Sequence, residues 1–124
     1  MTVLLYVAAF LAFAVGIAHS VLGERYILVR LFRREDLPKL FGGAQFTIRT
    51  LRFAWHITTI AWWGFASVLV LLAKRSVSAH SLSVVLAVTF LTTAVITLVV
   101  SRGQHLAWLV FFFIGAVCLY AAVV

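Results

Sequence analysis

The stretch FAWHITTIAWWGFASVLVLLA, Phe53 to Ala73, carries no formal charge over about the 20 residues that an α-helix needs to cross a hydrocarbon core about 30 Å thick. Three further uncharged apolar runs of similar length occur at Val3–Leu22, Leu82–Val100 and Leu106–Val124. The composition agrees, with 65% of the 124 residues hydrophobic and only 10% charged, which is too apolar for a soluble domain of this size. The expected fold class is therefore all-α integral membrane, an up-down-up-down four-helix transmembrane bundle forming one domain over residues 1–124. The spans are expected at about 3–22, 53–73, 82–100 and 106–124.

No positive charge precedes the first run, and no convincing small-x-small cleavage site is found before His19. It reads as a permanent span rather than a removable signal. The only cysteine, Cys118, lies deep in the fourth run, so a disulfide or a cysteine-based metal site within one chain is excluded.

A formal charge of +7 raises the question of nucleic acid, but its distribution points to topology. Arg25, Arg30, Arg33, Arg34, Lys39, Arg49 and Arg52 lie between the first and second spans, and Arg102 between the third and fourth. Lys74 and Arg75 alone mark the other side. The positive-inside bias then puts residues 23–52 and 101–105 in the cytoplasm and both termini outside. An integral protein of a bacterial inner (plasma) membrane is expected, with the bilayer and its anionic head groups as partners and no nucleic acid. Four spans enclose little volume, so a homodimer is compatible with the chain.

The segment GERYILVRLFRR, from Gly23 to Arg34, alternates apolar and basic residues, as suits an extension of the first helix into the head-group layer on the cytoplasmic side. Pro38 and the Gly42-Gly43 pair break the chain before a second helix starts near Gln45 or Thr47. Within the first helix Ala8, Ala12, Gly16 and Ser20 recur at steps of four, a spacing that lets backbones approach closely. Thr89, Thr93, Thr97 and Ser101 form a hydroxyl stripe on the third. Such a stripe bonds to its own backbone or to a neighbouring helix, or else lines a hydrated path.

Three histidines share one layer. His19 ends the first span, His56 starts the second, and His105 opens the fourth, all on the cytoplasmic side. His80 starts the third helix at the other surface, where a head-group position is expected. Arg49, Arg52 and His56, at i, i+3 and i+7, share a helix face, and Glu24 lies just beyond His19. Ionisable groups in a membrane are costly enough to mark function.

Four readings follow. His19, His56 and His105 would hold a transition metal such as zinc, iron or copper, with Glu24 as a fourth ligand or general base and Arg49 and Arg52 facing an anion, in a metalloenzyme or redox protein. Two of the histidines would instead be axial ligands of a haem b whose propionates meet the arginines. A small proton- or anion-coupled transporter would use the same groups without metal. Last, the histidines would simply fix packing. Trp55 and Trp108 read as an interfacial belt, and Trp62-Trp63 as packing.

Overall fold

A computed structural model describes residues 1–124 and is all-helical. α1 spans Thr2–Leu31, α2 Gln45–Ala73, α3 Ala79–Ser101 and α4 Ala107–Val123. The first three are long and apolar enough to cross a membrane, and α4 is a shorter apolar helix. As the alternation of apolar and basic residues predicts, α1 continues past its apolar run to Leu31. It does so through a π-helical segment, Gly23–Leu28.

Small residues set the register. A Cβ on Gly16 would stand 2.7 Å from Trp63 Nε1, and one on Gly23 2.2 Å from Trp55 Nε1, so α1 lies antiparallel against α2 with indoles seated on its glycines. Gly64 receives Thr89 of α3, and Gly115 receives Leu91, each within 2.7 Å of where a Cβ would be. These contacts make every successive pair antiparallel, an arrangement compatible with a four-helix bundle. Helix backbones approach one another only between neighbours in sequence, and α1 packs on α2 alone.

The connections follow from local chemistry. Ser78 and Ser81 start α3 by exchanging bonds, Ser81 N–H to Ser78 Oγ at 3.0 Å and Ser78 N–H to Ser81 Oγ at 2.8 Å. Arg102 at φ 52° and Gly103 at φ 75° end it with a left-handed turn. In the exposed α1–α2 loop, Arg34 bonds both carboxylate oxygens of Asp36 at 2.8 and 2.6 Å, and these bonds hold the Asp36 carboxyl below the usual carboxylate range.

Only 14 of the 124 residues are buried, while Phe10, Val88, Phe113 and Tyr120 are among the large side chains turned outward. That inverts the pattern of a water-soluble domain and suits an apolar surrounding.

Candidate functional site

The seam between α1 and α2 carries the polar chemistry. Arg52 Nη2 pairs with Glu24 Oε1 at 3.0 Å and Arg52 Nε donates to Oε2 at 3.3 Å. On that same Oε2, His56 Nε2 sits at 3.2 Å. The other ring nitrogen of His56 is 2.9 Å from Ser20 Oγ. Ser20 Oγ lies 2.7 Å from Thr59 Oγ1, which reaches the Gly16 carbonyl at 3.1 Å. One unbroken chain therefore runs from Arg52 through Glu24, His56, Ser20 and Thr59 to the α1 backbone.

Helix geometry explains the assembly. Ser20 follows Gly16 by one turn, and Thr59 follows His56 by three residues, so each pair shares a face of its helix. The small side chains at 16 and 20 let α2 close in, which brings hydroxyl to hydroxyl. A π turn closes from i to i+5. Gly23 and Leu28, five apart, are both buried, and Glu24 beside Gly23 reaches α2. Arg52 also lies over the Phe32 ring at 4.9 Å, a cation–π contact that screens the pair from one side.

A second connection lies beside it at the same level. Trp55 Nε1 donates to the His19 carbonyl at 3.0 Å, and His19 Nε2, as donor, meets the Trp55 carbonyl at 3.2 Å. The two rings stack with centroids 4.4 Å apart and planes 4° from parallel. Trp63 Nε1 likewise donates to the Phe13 carbonyl at 3.2 Å. The tryptophans thus fasten α1 to α2, a role beyond interfacial belt or packing. Trp55→Phe keeps a ring on His19 but deletes the N–H, and the expected loss is about 1 kcal/mol. Thermal unfolding in detergent checks it, and an unchanged Tm would show that the bond adds nothing.

The six residues expected to form one site separate into groups. Glu24, Arg52 and His56 come together. His19 belongs to the tryptophan latch. His105 stands among aromatics, stacked with Phe46 at 5.9 Å and edge-on to Phe53 at 4.9 Å, and its Nδ1 accepts the Ala107 N–H at 3.3 Å at the start of α4. Arg49 turns to Gln104 Oε1 at 2.8 Å. No group of three or more His, Cys, Asp or Glu side chains is gathered closely enough to hold a metal ion. His80, exposed at the far end, meets the Ala122 carbonyl at 2.7 Å. Sequence reasoning missed Ser20 and Thr59 as site members. Their signal is spacing, one at the end of the small-residue stripe and one a turn beyond His56.

Comparison with known protein families, characterised proteins and solved structures finds no match to this chain. The reading of the site therefore rests on its own chemistry.

Proposed function

We propose that this chain is a small integral membrane protein that couples its activity to proton movement, in the manner of a proton-linked transporter, with the Glu24–His56 pair as the proton-binding site. The observation that supports it is a count of protons. Four contacts join Glu24, His56, Ser20, Thr59 and the Gly16 carbonyl, and each needs one hydrogen. An ionised Glu24 beside a neutral His56 supplies three: one from the imidazole and one from each hydroxyl. All four contacts close only when the pair holds one proton more, on either the carboxyl or the ring. Arg52 supplies the fixed positive charge beside it, and the His19 imidazole is occupied with Trp55.

Loss of that proton leaves four contacts with three hydrogens, so one contact of the α1–α2 seam must open. Protonation and helix packing are thereby linked, which is what a proton-coupled device requires. In this reading the basic first and third connections face the cytoplasm and anionic head groups, with both termini outside. Arg25 and Arg30, both over the Tyr26 ring at 5.5 and 5.9 Å, anchor α1 at that level.

The test is proton flux into liposomes under an imposed potential, followed with an entrapped pH dye. Wild-type protein is expected to carry flux above empty vesicles, His56→Ala to lose it, and His105→Ala, outside the chain of contacts, to keep it. Wild-type vesicles no leakier than empty ones would overturn the assignment.

A further inference from the structure

The hydroxyl stripe of α3 splits in two. Thr89 and Thr93 donate to the carbonyls four residues earlier, Val85 at 2.7 Å and Thr89 at 2.8 Å. Thr97 and Ser101 continue the same face, are 0% and 1% exposed, and their hydroxyls have no hydrogen-bond partner in the protein. Two more buried polar atoms without a partner are Thr50 Oγ1 on α2 and Trp108 Nε1 on α4.

The helix register sets these four near one level. Gly64 faces Thr89 across α2 and α3, so with antiparallel packing the positions level with Thr97 and Ser101 on α2 are near His56 and Arg52, with Thr50 just beyond. Gly115 faces Leu91 across α3 and α4, which sets Trp108 level with Leu98. The group spans about a turn or two at the end of the assembly that holds Glu24, on α2, α3 and α4 rather than on α1.

An unpartnered buried hydroxyl or indole costs about 1–3 kcal/mol, and four in one place are uncommon in a native fold. We propose that the junction of α2, α3 and α4 is a binding site for internal water, bridging Thr50, Thr97, Ser101 and Trp108. The chemistry selects this ligand. None of the four is charged, the indole only donates, and the hydroxyls donate and accept, so a molecule with two donors and two acceptors satisfies them. The cavities along the helix seams are lined by other residues, so this junction is distinct from them. The site stands independently of the proton-coupled reading and extends a polar layer from His56 across to the far side of α2.

Two measurements test it. In water-edited solid-state NMR of the wild-type protein in lipid, the Trp108 indole proton is expected to receive magnetisation from water as quickly as an exposed amide does. Thr97→Val, which keeps shape and removes the hydroxyl, is expected to lower Tm because the water loses a partner. Absence of transfer to the indole overturns the proposal whatever the variant does. A Tm that rises in Thr97→Val does so too, since removing a dry unpartnered hydroxyl stabilises.

Discussion

Glu24→Gln is expected to lower proton flux by about 100-fold or more, the contribution typical of a positioned acid–base group, while leaving Tm close to that of the wild type. The reason lies in the same count of hydrogens. A glutamine amide presents an N–H to His56 Nε2, after which the ring donates to Ser20, Ser20 to Thr59 and Thr59 to Gly16. The contacts from His56 to Gly16 then close with a neutral imidazole and without a proton on residue 24, at the cost of the Arg52 Nε contact, which an amide NH2 at that position cannot accept. The seam is then closed without the carboxylate's proton. Flux at the wild-type level in Glu24→Gln liposomes would remove Glu24 from the proposed role, whereas loss of flux with a collapsed Tm would point to folding instead.

Gly23→Ala is expected to be the most damaging small substitution in the chain. The added carbon would lie 2.2, 2.4 and 2.6 Å from Nε1, Cε2 and Cζ2 of Trp55. Retreat of the indole breaks two contacts, because its ring stacks on His19 and its N–H is held by the His19 carbonyl. Either the ring swings out and its bond is lost, or α1 lifts from α2. Overpacking of this kind costs about 1–3 kcal/mol and on occasion more. Gly43→Ala is the matched control, since a Cβ there meets nothing within 4 Å. Thermal unfolding of the two variants side by side in detergent decides it: equal Tm values would mean that Trp55 is not seated as described.

Much of the scaffold is legible in the sequence because the physical signal for an apolar helix is a long run without charge, and Pro38, Gly42-Gly43 and Gly103 break those runs where the helices end or turn. The layer containing Glu24, Arg52 and His56 is legible for the same reason, since position along a helix gives depth. Direction around the axis is harder to read. His105 shares the depth of His56, yet it lies before the first turn of α4, where its ring is captured by Phe46 and Phe53. Arg49 and Arg52 share a face in the sequence pattern, yet a three-residue step leaves enough rotation for one to find Gln104 and the other Glu24. The indole bonds to His19 and Phe13 depend on which helix lies opposite, and nothing in Trp55 or Trp63 alone carries that information. The π segment is equally silent in sequence, apart from a glycine that permits close approach.

The attachment of α1 to α2 alone has a mechanical corollary. A helix clasped along a single seam is an outrigger: displacing it would leave the contacts among the other three in place. Motion of α1 therefore costs what that one seam holds, its apolar packing together with a few hydrogen bonds, two indoles and one ion pair. Work done at one carboxylate would be delivered as displacement of a whole helix, with α2 as the fulcrum.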